Sequence, residues 1–166
     1  MAKLKAEVEH AHHRAEGATL RDRVFANVET VSRVGSALAP VSNWLSSVPG
    51  SGYLGEKLLG IARERELPTF ERESFAAWWA DRGPTVPESQ ATRRALLFPD
   101  TYNNYSHPET LRAAVEVLEA AGVHVQVPDD VVASGRAAHS KGFLDVARDR
   151  AATNVDALAP RVSDGW

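Results

Sequence analysis

Leu96–Gly142, LLFPDTYNNYSHPETLRAAVEVLEAAGVHVQVPDDVVASGRAAHSKG, is the stretch whose reading decides the fold. Leu96, Leu97 and Phe98 form a short apolar run stopped by Pro99, while Val123, Val125 and Val127 alternate with His124 and Gln126 before Pro128. Both are strand signals with defined ends. Between them, Ser106-His107-Pro108-Glu109 has the spacing of a capping box, with proline in the first turn where its missing N–H is not needed. This predicts a helix from about Ser106, with Leu111, Ala114, Val115, Leu118 and Ala121 on one face and Gly122 at its left-handed end. The unit is β-α-β, so its strands are expected to be parallel and joined by a right-handed crossover.

Ligands of such units bind beyond the carboxyl ends of the strands. Here those ends open into two polar loops, 100–105 and 129–136, which share one sheet edge if the strands are neighbours. Helix N-termini near Ser106 and Ser140, with Arg136 between them, would make that edge a site for an anion or a partner's carboxylate. The candidate residues are Asp100, Thr101, Asn103, Asn104, Tyr105, His107, Ser134, Gly135, Arg136 and Ser140. The alternative is that Asp100 caps its own turn and Arg136 pairs with Asp129 or Asp130, leaving a solvated loop. No nucleophile–base–orienter set is visible, although Asp100, His107 or His139 could do acid–base work in a free-standing enzyme.

Working outward towards the N-terminus, Arg82–Thr92 is a proline-containing polar linker, preceded by a short helix over about Glu71–Asp81 whose Phe75, Trp78 and Trp79 form an aromatic packing face. Ala62–Pro68 is a solvated charge run. Pro40–Gly60 is broken by Pro49, Gly50 and Gly52, which predicts short helices carrying Trp44, Leu45, Tyr53, Leu54, Leu58 and Leu59 over another surface; Gly50-Ser51-Gly52 lacks the ending of a phosphate loop and reads as a turn. Thr19 can cap one long amphipathic helix with Leu20, Val24, Val28, Val31, Val34 and Leu38 along a face until Pro40. Lys3–Glu16 is a polar helix with a thin stripe of Leu4, Val8, Ala11 and Ala15. Its His10, His12 and His13 cannot all face one metal ion and read as residues of an exposed helix. Towards the C-terminus, Ser140 can cap a last helix through about Leu158, with Leu144, Ala147, Ala151, Val155 and Leu158 on one face, ended by Pro160.

The 166 residues allow one sizeable core, and 43% apolar and 25% charged residues are those of a globular protein. A net charge of -3, with acids and bases interspersed, does not call for nucleic acid. No run is long and apolar enough to span a bilayer, and the N-terminus is too charged for a signal peptide, so the expected compartment is the cytoplasm. There is no cysteine, which excludes disulfides, a thiol nucleophile and thiolate-ligated metal in this chain.

FPDTYNNYSHPETLRAAVEVLEAAGVHVQVP followed by SGRAAHSKGFLDVAR resembles the cysteine-rich CCG domain of iron–sulfur oxidoreductases. That group includes D-lactate dehydrogenases fused to an FAD-binding oxidase, and the iron–sulfur subunits of glycolate oxidase and anaerobic glycerol-3-phosphate dehydrogenase. MAKLKAE, LRDRVFANVETVSRVGSALAPVSNWL and LGEKLLGI…RELPTF look like the segment joining the ferredoxin-like module to the CCG domain in the FAD-fused members. The resemblance covers nearly the whole chain. It departs where the family carries Cys-Cys-Gly, because this sequence has Ala133-Ser134-Gly135, and alanine and serine do not replace thiolates at iron.

The resemblance therefore implies a helix-rich α/β fold: a helical connecting region over 1–83, a linker over 84–94, and a partial, parallel β-α-β CCG-like domain over 95–166. It implies part of a larger FAD and iron–sulfur oxidoreductase acting on a 2-hydroxy acid of the D-lactate or glycolate type. This region would serve electron transfer or docking without a cofactor of its own, and the isolated chain is expected to be inactive. FAD and 4Fe-4S clusters would sit in a flavin domain and a ferredoxin-like domain of the same enzyme or complex. A quinone-linked complex would place it peripherally at the inner face of the membrane. The other reading is a non-catalytic binding or scaffold module for a partner subunit or a small anion.

Overall fold

Strands β1 (Arg93–Leu96) and β2 (Val123–Gln126) pair in parallel, Arg93 opposite Val123 and Leu96 opposite Gln126, and form a two-stranded sheet. The computed structural model describes residues 2–48, 50–62, 64, 65 and 68–166. The expectations for Pro49, for the side chain of Leu54, and for Arg63, Glu66 and Leu67 of the charge run lie outside the described residues. Around the sheet are α1 (Ala2–Glu16), α2 (Leu20–Ala26), α3 (Val28–Ala37), α4 (Val41–Ser47), α5 (Ser51–Leu59), α6 (Phe75–Arg82), α7 (Thr101–Tyr105), α8 (Pro108–Ala120), α9 (Arg136–Ser140) and α10 (Leu144–Ser163). The fold is the helix-rich α/β arrangement with a small parallel sheet that the sequence predicts.

The core is where the β-α-β unit meets the aromatic helix. Phe75, Leu111, Val115 and Val125 are buried together, with Trp78, Trp79, Leu97, Leu118 and Val127 packed against them. The alternation of β2 puts Val125 on this side and His124 on the other, where Trp166 covers it at 5.6 Å between ring centroids. Burial of a side chain the size of Phe75 contributes roughly 1.5–3 kcal/mol, which makes this small cluster the main apolar anchor of the fold.

Several boundaries differ from the sequence reading, each for a local reason. The first strand lies at Arg93–Leu96 rather than 96–98, because pairing opens with the Thr92 N–H donating to the Gly122 carbonyl and closes with Leu97 donating to Gln126, both at 2.9 Å. Arg93 and Arg94 of the supposed linker are thus strand residues. Ser106 does not start a helix. Asp100 captures the chain earlier, accepting from the N–H groups of Tyr102 and Asn103 and nucleating α7, so Ser106 becomes the buried end of that turn and α8 starts at Pro108. The long second helix breaks at Asn27, whose side chain and backbone N–H both bond the Arg23 carbonyl while the freed Ala26 carbonyl accepts from Arg150. Ser74, not Glu71, begins α6, its hydroxyl accepting from the Ala77 N–H. Ser140 closes α9 instead of capping the last helix, and α10 runs through Pro160 to Ser163, the proline forfeiting one bond in its final turns.

Helix α1 docks on the face opposite to its apolar stripe. Leu4 and Val8 are 62% and 61% exposed, whereas Ala6 is buried. The approach is set by Gly142, which has a φ of 73° and takes the α1 backbone so closely that a Cβ there would stand 2.6 Å from the Glu9 Cβ. His10 and His13, expected on an exposed helix, line this contact with side chains 23% and 14% exposed. On α3 the same inversion occurs: Ser32, Gly35 and Ser36 are buried, while Val31, Val34 and Leu38 face outward. Gly35 lets the Phe70 ring lie against the helix backbone.

Candidate functional site

The ten candidate residues fall on two groups of elements. Asp100, Thr101, Asn103, Asn104, Tyr105 and His107 lie on or beside α7, which packs on α3, α6 and α8. Ser134, Gly135, Arg136 and Ser140 lie on or beside α9, which packs on α1, α2 and α10.

In the first group most polar atoms are committed to holding the chain. Asp100 accepts from two backbone N–H groups and, at 2.7 Å, from the Asn103 amide. Asn104 is buried, and its Oδ1 accepts from the Ala76 N–H at 2.9 Å, meeting one of the unpaired donors that open α6. The Tyr105 carbonyl accepts from the Glu71 N–H. Burial pushes the Tyr105 phenol above its ordinary pKa, and the Glu29 carboxylate pushes it the same way. Thr101 is half-buried.

His107 belongs to a chain of polar groups that sequence inspection missed. Its Nδ1 is 2.9 Å from the Glu109 carboxylate, and its Nε2 is 2.9 Å from the Tyr102 hydroxyl. Since an ionised carboxylate can only accept, Nδ1 carries the proton towards Glu109, and Nε2 is the ring nitrogen that meets the Tyr102 hydroxyl. The order is hydroxyl, imidazole, carboxylate. Tyr102 is 53% exposed, however, so the array sits in water rather than in a closed site. The Glu109 carboxyl is held below its ordinary pKa by its own backbone N–H first and by His107 second. The signal was present as Tyr-x4-His-x-Glu, but the step from residue 102 to 107 spans a helix end, which periodicity does not reveal.

In the second group the backbone makes most of the contacts. Ala133 is buried, its N–H donates to Glu29 at 3.3 Å, and Val132 donates to the Asn154 side chain at 2.8 Å. Gly135 has a φ of 77°, and a Cβ there would stand 3.0 Å from the Ala147 carbonyl, so the loop presses on α10. Ser134 and Arg136 are exposed, and the Arg136 guanidinium pairs with neither Asp129 nor Asp130; Asp130 pairs instead with Arg161 at 3.0 Å. The Ser140 hydroxyl donates to Ala137 within its own helix. Glu29 of α3 links the two groups, accepting from Ala133 and acting on the Tyr105 phenol.

Two further features matter. The Arg82 guanidinium grips buried Glu119 in a fork, at 2.5 and 3.1 Å, and the Thr85 N–H adds a third bond, so Glu119 is held at a pKa of about 2. By the alternation of a parallel ladder, the N–H and C=O groups of Val123 and Val125 point away from β1. Val125 lines a groove of about 540 Å³ walled by Trp79, Pro84 and Trp166.

Over 144 residues, 87% of its length, the chain is 28% identical to a subunit of the anaerobic glycerol-3-phosphate dehydrogenase of Escherichia coli strain K12, and equally to that of strain O157:H7. The likeness is to a dehydrogenase subunit. The aligned part makes up 36% of each relative, so the chain spans about a third of the length of the curated relatives it matches. No family model and no solved structure matches. The relatives are named for glycerol 3-phosphate, the third of the enzymes in the resemblance, and not for a 2-hydroxy acid.

The donor set does not fit an iron–sulfur cluster. Where the resembling family has its cysteine pair, Ala133 is buried beneath Glu29 and Ser134 is exposed to solvent. Among the described residues, no group of three His, Cys, Asp or Glu side chains could hold a metal ion. No helix among them is long and apolar enough to cross a membrane.

Proposed function

We propose that this chain is a docking region of a flavin- and iron–sulfur-dependent oxidoreductase, holding redox-active domains in place without a cluster of its own. The observation that carries this reading is an apolar face running from the end of α3 through α4 to α5. Leu38, Val41, Trp44, Leu45, Tyr53 and Leu58 are each 56–64% exposed, and α4 buries none of its described residues. Large apolar groups gathered in this way mark interaction surfaces, and Trp and Tyr are the residue types that dominate binding hot spots. The likeness to a dehydrogenase subunit, over most of the chain, supports an enzyme of that class as the setting.

In this reading FAD and the 4Fe-4S clusters belong to a flavin domain and a ferredoxin-like domain of the same enzyme or complex, and supply the electron transfer there. The residues of this chain position and shield. The substrate is a small hydroxylated acid of the D-lactate or glycolate type, and the complex works on the cytoplasmic side, at the inner face of the membrane when it feeds a quinone. Cross-linking of the assembled complex tests the docking: Lys57, exposed on α5, is expected to link to the flavin- or cluster-bearing polypeptide. Links restricted to Lys3 and Lys5 of α1 would place the interface elsewhere and overturn the reading.

A further inference from the structure

A second concave surface is lined by helices other than those that carry the apolar face. It is an open groove of about 440 Å³ between the end of α1, the body of α2 and the start of α10, lined among others by His10, His13, Arg14, Arg23 and Phe143. The guanidinium groups of Arg14 and Arg23 make no hydrogen bond or ion pair with any described residue. The nearby acids, by contrast, are already engaged. Asp145, which also lines the groove, is 3.9 Å from His10 and 3.2 Å from Arg148. Asp22 is held by Thr19 and Lys141, the latter at 3.4 Å. His13 adds a buried Nδ1 that has no hydrogen-bond partner, in a ring packed 4.9 Å from Phe143. A buried polar atom without a partner calls for an occupant nearby.

We propose that this groove binds a small oxyanion of the phosphate type, with Arg14 and Arg23 as the charged donors. Two forked guanidinium groups match the several oxygens of such an ion, and the volume is in the range of small-ligand sites, leaving room for an organic group behind it. The inference is independent of the docking reading, because the groove lies on other helices.

The test is a titration of the full chain with inorganic phosphate at constant ionic strength, followed by amide chemical shifts, with succinate in a parallel arm. Saturable shifts at Gly17, Ala18, Gly142 and Val146, with a dissociation constant near about 1 mM, are expected. Arg14→Ala and Arg23→Ala should each weaken binding about tenfold, and the double variant should abolish it. Arg136→Ala should leave it unchanged. Absence of saturable shifts, equal shifts in the double variant, loss of binding in Arg136→Ala, or tighter binding of succinate than of phosphate would each overturn the assignment.

Discussion

His10 Nδ1 and the Gly142 carbonyl oxygen stand 2.9 Å apart across 132 residues of sequence, and this bond fixes where α1 lies on the molecule. Gly142 makes the approach possible by lacking a side chain in a left-handed conformation that L-residues avoid. Gly142→Ala is therefore expected to cost about 2 kcal/mol, from the left-handed backbone and the close Glu9 contact together. Urea unfolding would measure it. A midpoint equal to that of the parent chain would mean that α1 does not dock as described.

The Arg82–Glu119 fork predicts an acid-sensitive fold. Glu119 has a folded-state pKa of about 2, below its ordinary value of 4.5. Its contribution is therefore complete above about pH 4.5 and is lost as pH falls from there towards 2. Glu119→Gln should flatten stability across that window. Arg82→Ala, which strands a buried carboxylate, should cost roughly 3 kcal/mol at neutral pH. Unfolding midpoints at several pH values check both, and an acid limb unchanged in Glu119→Gln would contradict the assignment.

Asn104 predicts a structural effect where the sequence pointed to a binding loop. Its amide oxygen meets the Ala76 N–H inside the protein, so Asn104→Ala should cost about 1–2 kcal/mol. Asn104→Asp keeps the acceptor and should cost less. Thermal unfolding of the two variants separates the roles, and equal losses would show that the acceptor is not what matters.

What could be read from the sequence was the alternation and the helical period. Val123, Val125 and Val127 identified β2, and Leu111, Val115 and Leu118 identified the buried face of α8. The class of fold and the parallel pairing followed from those residues. The sequence could not show which faces the other helices bury, because α1 and α3 dock through small residues at close approach, with Ala6 buried and Gly142 against the α1 backbone, and with Gly35 against Phe70, while their larger apolar groups stay outside. Competing caps were also hidden. Asp100 and Ser106 are both good capping residues, and only the tertiary position of α7, tied to Ala76 and Glu71, decides between them. The Tyr102–His107–Glu109 chain runs from one helix to the next across a helix end, which no helical period marks.

The docking reading is tested most directly by the affinity of the chain for the flavin-bearing polypeptide that this reading assigns as its partner, measured by calorimetry for the parent and for Trp44→Glu with Leu45→Glu. Both side chains are more than half exposed, so the substitutions leave the core intact. The account predicts a loss of at least about tenfold in affinity with unchanged thermal stability. Unchanged affinity in the double variant would contradict it.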